Sequence, residues 1–186
     1  MPPRTGRTLC LVVCAAPPAR RIGEFVAAVQ REGWTVHIIA TPTATSWLPV
    51  DDLAEQTGSP VRHRQRHPDE QSTQPMPDAL AVVPATFNTI NKWATGINDS
   101  LALGVLNGAL GTRLPIVASP YAKADLAAHP AFDGHLRRLA DSGVRLTTTE
   151  ALRPADPDGP YHWSPVLDLL RALPSPMDCS ARSPRT

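Results

Sequence analysis

Cysteine is scarce in this chain, and the three cysteines form no recognisable pattern. Cys10, Cys14 and Cys179 are the only ones among 186 residues. They are too few for a disulfide framework, and their spacing matches no metal-ligand motif. Cys10 and Cys14 lie inside an apolar run, so we expect buried, unreactive thiols there. The sequence therefore predicts a reduced protein without a bound metal.

Long apolar segments and a charge excess of one sign are also missing. The apolar stretch at residues 8–16 is far shorter than the roughly 18 residues of a membrane helix. It runs into Pro17-Pro18, which argues against a signal peptide. Lys+Arg 18 and Asp+Glu 17 give a formal net charge of +1, too little to hold a nucleic-acid backbone. We therefore expect a soluble, cytoplasmic protein that binds neither membranes nor nucleic acid.

Proline is abundant instead, and its positions divide the chain. There are 21 prolines, roughly double the usual share, yet residues 79–149 contain only four. The proline-poor part is predicted to be the ordered centre, and the polar segment at residues 63–77 to be a loop. We expect one domain over residues 1–173 and a disordered tail over residues 174–186.

Short, unbroken apolar runs alternate with helical patterns along the chain. Such runs are typical of strands buried on both faces of a parallel sheet, and they cover residues 8–15, 35–41, 79–84, 114–118 and 144–146. Apolar residues at helical spacing cover residues 22–31, 50–56, 86–110, 130–141 and 165–173. This order predicts an α/β fold, an open, Rossmann-like parallel sheet with helices on both faces.

Polar loops follow the predicted strands, where open α/β sheets bind ligands. Neither the G-x-G-x-x-G fingerprint nor a G-x-x-x-x-G-K-S/T phosphate loop is present. Small and hydroxylated residues suit a single phosphate with a sugar-like chain better than a metal-bound triphosphate. The third loop is the richest in polar groups, and these are Thr86, Asn88, Thr89, Asn91, Lys92, Asn98 and Asp99.

Two interpretations of this polar block remain open from the residues alone. In the first, it is a helix start capped by Thr86, with a second helix beginning at Asn98-Asp99 after a break at Gly96. In that case the chain is an α/β domain whose block is structural. In the second, the block supplies fixed donors and acceptors to a ligand.

Residues 84–99 resemble a motif of the homo-oligomeric flavin-containing cysteine decarboxylases. They read Pro-Ala-Thr-Phe-Asn-Thr-Ile-Asn-Lys-Trp-Ala-Thr-Gly-Ile-Asn-Asp, and the family block reads Pro-Ala-Ser/Thr-x-Asn-Thr-Ile-x-Lys-x-Ala-x-Gly-Ile-x-Asp. The family includes phosphopantothenoylcysteine decarboxylase and the enzymes that oxidatively decarboxylate C-terminal cysteines of lanthipeptide-type precursors. The similarity extends over about residues 8–147, including Thr41-x-x-Ala44-x-x-Trp47.

This resemblance implies a flavodoxin-like fold that binds FMN at the subunit interfaces of a homo-oligomer, a trimer or a dodecamer. Matched position by position, it implies a flavin site formed by Thr41, Ala44, Ser46, Ala85, Thr86, Asn88, Thr89 and Asp99. The family's phosphate turn corresponds to residues 16–20, where this chain has Pro17-Pro18. Arg20 or Arg21 is therefore expected either to hold the phosphate or to form a solvated helix start.

Two further positions concern the reaction that the resemblance implies. The family's catalytic histidine corresponds to Glu70, and His67, three residues away, is the candidate catalytic histidine. The asparagine of the family's substrate motif corresponds to Lys123, a cation that can pair with a carboxylate. The expected function is oxidative decarboxylation of a cysteine-containing peptide or small molecule. The alternative is an FMN-binding redox or regulatory protein that has lost this activity.

Overall fold

The computed structural model describes residues 6–65, 76–156 and 158–174. Five parallel strands form one sheet in the order β2-β1-β3-β4-β5. The strands are β1 Arg7–Val13, β2 Trp34–Ala40, β3 Ala79–Thr86, β4 Ile116–Tyr121 and β5 Arg145–Leu146. The predicted open parallel sheet is confirmed. Its strand order reverses between β1 and β3, which is the flavodoxin-like arrangement.

Helices cover both faces of the sheet. They are α1 Ile22–Arg31, α2 Val50–Thr57, α3 Phe87–Ala94, α4 Leu101–Gly111, α5 Ala124–Ala127, α6 Pro130–Asp141 and α7 Ser164–Arg171. One core packs α1, α2 and α7 against strand residues such as Leu9 and Leu11. The other packs α3, α4 and α6 against the opposite face, where Cys10 and Val12 lie. Because both faces are buried, the strands are apolar at successive positions.

The helical pattern at residues 86–110 forms two helices with the expected break at Gly96, but the second helix begins at Leu101 rather than at Asn98-Asp99. Gly96 has a φ of 76°, which glycine adopts without the strain that a Cβ would cause. Ser100 then caps α4 by accepting a hydrogen bond from the Leu103 N–H at 3.3 Å. Strands β3 and β4 also extend to Thr86 and Tyr121, beyond their predicted ends, and carry these side chains to the edge of the sheet.

Several sequence-based predictions fall wholly or partly outside the described residues. His67 and Glu70 lie there, as do most of the predicted loop at residues 63–77 and nearly all of the predicted tail at residues 174–186. Within the described ranges, the helices are all too short or too polar to cross a membrane. The same ranges contain no group of side chains arranged to hold a metal ion.

Two glycine substitutions test the backbone around the sheet. Gly33 joins α1 to β2 with a φ of 82°, so Gly33→Ala should lower the free energy of unfolding by about 1 kcal/mol through backbone strain. Gly134 lies inside α6 with open space around it, so Gly134→Ala should raise it by about 0.5–1 kcal/mol. Urea denaturation measures both. An unchanged stability in Gly33→Ala would contradict the left-handed turn before β2.

Candidate functional site

Loops after β1, β2, β3 and β4 meet at the carboxyl edge of the sheet and enclose a cleft of about 870 Å³. Arg153, from the segment after β5, completes its lining. The volume is that of a small-molecule or cofactor site. The cleft lies where the strand order reverses between β1 and β3, the position at which open α/β sheets bind ligands.

The cleft brings together most of the residues predicted to form a site. Those lining it are Thr41, Thr86, Asn88, Thr89, Asp99 and Lys123. Ala44 and Ala85 are fully buried, and neither is among the lining residues. Ser46 is exposed outside the lining, and its hydroxyl donates to the Thr43 carbonyl at 3.1 Å. His67 lies outside the described residues.

Two hydrogen bonds, one of them buried, link the residue after β1 to the start of α3. The Cys14 thiol donates to Thr89 Oγ1 at 3.3 Å, and the Thr86 hydroxyl donates to the same oxygen at 3.2 Å. Thr86 occupies the position before α3, but its side chain caps no backbone N–H. The expectation that Thr86 caps the helix is therefore wrong. Its hydroxyl is instead held in place at the wall of the cleft.

Asn88 presents an unused amide to the cleft from the first turn of α3. Its side chain is exposed and forms no hydrogen bond within the described residues. A carboxamide has donors and an acceptor in one plane, so Asn88 can bind a polar ring edge. The neighbouring polar residue Asn91 instead pairs with His135, 2.7 Å from Asn91 Oδ1 to His135 Nδ1. It does not line the cleft.

An ion pair closes the rim of the cleft between α3 and α4. Lys92 Nζ lies 2.5 Å from Asp99 Oδ2, and both residues line the cleft. The pair is partly exposed, so its contribution to stability is below about 1 kcal/mol. Its effect is to compensate the negative charge of Asp99, which leaves the site open to an anionic ligand.

Arg153 is a lining residue that sequence reasoning missed. One guanidinium nitrogen donates to the Ala122 carbonyl at 2.6 Å and another to the Tyr121 hydroxyl at 3.4 Å. The guanidinium also lies 4.6 Å from the centre of the Tyr121 ring and pairs with Glu150. Arg153 therefore fixes the end of β4. It comes from an irregular segment, where no periodic pattern could have singled it out.

Lys123 follows directly after the part of the chain that Arg153 holds. It is exposed at the start of α5 and lines the cleft. It forms no ion pair within the described ranges, so its charge is available to an anionic ligand. Asp125, also in the lining, accepts a hydrogen bond from the Leu126 N–H at 3.0 Å.

A family comparison decides the classification of the chain. Residues 3–171 match the model of the Flavoprotein family. The chain belongs to the Flavoprotein family. The prediction from residues 84–99 that the chain is a flavoprotein is thereby confirmed.

Curated relatives of this Flavoprotein family member cover only parts of it. A cysteine/cysteine sulfinic acid decarboxylase from an unknown prokaryotic organism is 39% identical over 69 residues, 37% of this chain and 18% of that protein. The coenzyme A biosynthesis bifunctional protein CoaBC of Thermococcus kodakarensis is 25% identical over 149 residues, 76% of this chain and 36% of that protein. The chain thus spans about a third or less of the length of these relatives.

Solved structures of similar fold cover nearly the whole chain. The FMN-dependent cysteine decarboxylase SpaF has a TM-score of 0.71 at 20% identity and covers 90% of this chain and 98% of its own. A phosphopantothenoylcysteine decarboxylase mutant complexed with pantothenoylaminoethenethiol has a TM-score of 0.72 at 19% identity, covering 89% and 97%. The FMN binding protein AtHal3 has a TM-score of 0.70 at 17% identity, covering 96% and 99%. These similarities establish the fold.

The two cysteines of β1 and its following loop are buried in this Flavoprotein family member, as predicted. Burial raises the pKa of Cys10 to about 12, an effect that the nearby Arg62 charge reduces. Burial also raises the pKa of Cys14, while hydrogen bonds involving Thr89 and Thr86 lower it. Both thiols are therefore protonated near neutral pH, and neither is a nucleophile.

A thiol titration tests this conclusion in a Cys179→Ser background, which leaves only Cys10 and Cys14. At about pH 8 the folded protein should not react with Ellman's reagent within minutes, because the thiolate is the reactive form and burial suppresses it. In guanidinium chloride both thiols should react. Rapid reaction of the folded protein would show that one thiol is accessible and ionised.

Proposed function

We propose that this chain binds FMN and oxidatively decarboxylates a cysteine-containing peptide or small molecule. The observation that carries the proposal is the position of Thr86, Asn88 and Thr89. These residues of the motif line the cleft at the junction of β1 and β3, where a flavodoxin-like sheet binds FMN. Membership of the Flavoprotein family and the fold shared with the FMN-dependent decarboxylase SpaF support it.

The residues of the cleft fit a flavin mononucleotide. Trp47, Phe87 and Leu103 provide apolar surface for a planar ring system, and the unused amide of Asn88 can bind its polar edge. Thr41 and Thr86 place hydroxyl groups along the same wall. When bound, FMN supplies a two-electron acceptor for oxidation of a thiol.

Lys123 is the residue proposed to bind the substrate. Its uncompensated charge at the β4 side of the cleft can pair with the carboxylate of a cysteine. Arg153 positions it by holding the Ala122 carbonyl. His67 remains the proposed proton acceptor for the reaction, and its position lies outside the described residues.

The chain is proposed to act as a homo-oligomer, a trimer or a dodecamer, in the cytoplasm. Helix α4 supports an interface between copies because it is apolar on nearly every side. Leu101, Val105 and Leu110 of this helix are only partly buried within one chain. A helix with apolar residues on all sides is normally buried against other protein surface. No membrane or nucleic-acid partner is proposed.

A second candidate is an FMN-binding redox or regulatory protein without decarboxylase activity. The substrate segment favours it, because residues 120–127 keep only Pro120 of the family's Pro-x-Met-Asn-x-x-Met-Trp motif. Ala122, Leu126 and Ala127 stand where the family has Met, Met and Trp. The two candidates share the cofactor and differ in the reaction.

Cofactor content is tested by the visible spectrum of the purified protein. Absorption near about 370 and 450 nm, with FMN identified in the released fraction, is the expected result. Asn88→Ala should lose most of the flavin, because the amide faces the cleft and has no substitute. Asn98→Ala is the matched control, since Asn98 lies in the same motif outside the cleft. Equal flavin content in both variants would refute the role of Asn88.

The reaction is tested by mass spectrometry with a peptide ending in cysteine. The substrate should lose about 46 Da, the mass of carbon dioxide plus two hydrogens, while the flavin accepts the two electrons. The same peptide with an amidated C-terminus should not react. Lys123→Ala should raise KM at least about tenfold without changing flavin absorbance, because a charged hydrogen bond to the carboxylate is lost. Bound flavin with an unchanged peptide mass would favour the second candidate.

A further inference from the structure

A second groove, of about 380 Å³, adjoins the cleft at the ends of β1 and β2. It is lined by Pro17, Arg20, Arg21, Trp47 and Tyr161. Pro17 and Trp47 line the cleft as well, so the groove and the cleft meet at these two residues. The groove therefore places two arginines beside the part of the cleft formed by the loops after β1 and β2.

The backbone at this junction has few N–H groups left to bind an anion. Pro17 and Pro18 begin the 3-10 helix after β1 and carry no N–H. The next N–H, that of Ala19, donates to the Ala16 carbonyl at 2.8 Å. An anion at this turn therefore has fewer backbone donors than usually hold phosphate after the first strand of an α/β sheet.

The backbone of the loop after β2 also has few N–H groups left to bind an anion. Pro42 has no N–H, and the Ala44 N–H donates to the Thr41 carbonyl at 2.8 Å. The hydroxyls of Thr45 and Ser46 donate to the carbonyls of Pro42 and Thr43. Neither loop's backbone carries a full positive charge, so the charge that balances an anion here must come from a side chain.

The two arginines of the groove differ in whether they are already paired. Arg21 donates from Nε to Glu24 Oε1 at 2.7 Å and forms an ion pair with the same carboxylate. Arg20 has no carboxylate partner in the described part of the chain and lies 5.2 Å from the centre of the Trp47 ring. At this distance the guanidinium is within cation–π range of the indole, a contact that uses none of its N–H donors.

Three arginines place positive charge around Tyr161. Burial raises the pKa of Tyr161, with Tyr121 adding to the effect, whereas the charges of Arg21, Arg20 and Arg153 lower it. Three guanidinium groups therefore act on one phenol that lines the groove. Two of the three, Arg21 and Arg153, are neutralised by Glu24 and Glu150.

Resting on the proposed FMN cofactor, we infer that Arg20 binds the cofactor's phosphate. Its guanidinium takes the place of the backbone donors that Pro17 and Pro18 cannot supply, and Trp47 holds it in position. The arginine matches a phosphate dianion in charge and in fork geometry. The phosphate end of the cofactor then points towards β1 and β2, and the end near Asn88 carries the ring system.

Affinities for FMN and riboflavin test this assignment, because riboflavin is the same flavin without the phosphate. The full-length chain is freed of bound flavin and titrated with each compound, and quenching of flavin fluorescence is followed. Arg20→Ala should weaken FMN binding about 10- to 100-fold and leave riboflavin binding within about twofold of the wild type. Arg21→Ala is the matched control and should change neither affinity by more than about threefold, since Arg21 is already paired.

The outcomes separate this inference from the proposed function. If Arg20→Ala binds FMN as tightly as the wild type, or loses FMN and riboflavin equally, Arg20 does not bind the phosphate. If the wild type binds neither compound, the proposed function fails and the inference fails with it. Arg20→Lys should keep part of the FMN affinity, and unchanged far-ultraviolet circular dichroism in each variant shows that the fold is intact.

Discussion

Burial of both faces of a parallel sheet is the constraint on which the rest of this structure depends. After each strand the chain must cross back to the edge of the sheet at which the strands begin. Each face of the sheet also needs its own layer of helices. The chain satisfies this with α1, α2 and α7 on one face and α3, α4 and α6 on the other. Because all strands run in the same direction, the loops after β1 to β4 meet at one edge and create the cleft.

Within the cleft, the polar groups fall into three kinds. Some are fixed by the fold, such as the hydroxyls of Thr86 and Thr89, which hydrogen-bond to each other. Others are charges that compensate each other, such as Lys92 with Asp99. The third kind has no partner within the described residues and includes Lys123 on the β4 side. Arg20 adds a cation without a carboxylate partner among the described residues on the β1 and β2 side, so the site offers a positive charge on each side.

The sequence predicts the sheet well because its signal is local, whereas the site depends on contacts between distant residues. Unbroken apolar runs indicate buried strands. The helical patterns at residues 22–31 and 130–141 predict α1 and α6 with the observed bounds. The motif at residues 84–99 identified Thr86 and Asn88, and both line the cleft. Arg153 could not be predicted, because its role depends on Tyr121 and Ala122, about thirty residues earlier in the chain. Periodicity alone did not separate α3 from α4, but Gly96 indicated the break, and its φ is positive in the structure.

The position of α7 has a consequence for how the chain folds during its synthesis. Val166, Leu167 and Leu170 of this last helix cover the same face of the sheet as α1, and Trp163 donates a hydrogen bond to Glu24 at 3.1 Å. A ribosome therefore releases all five strands, together with α1 and α2, before α7 has emerged to complete the cover of this face. Until then the part of this face that α7 covers stays exposed, a condition that promotes aggregation and recruits chaperones. Premature termination before residue 164 should accordingly yield a chain that is captured or degraded rather than a smaller folded domain.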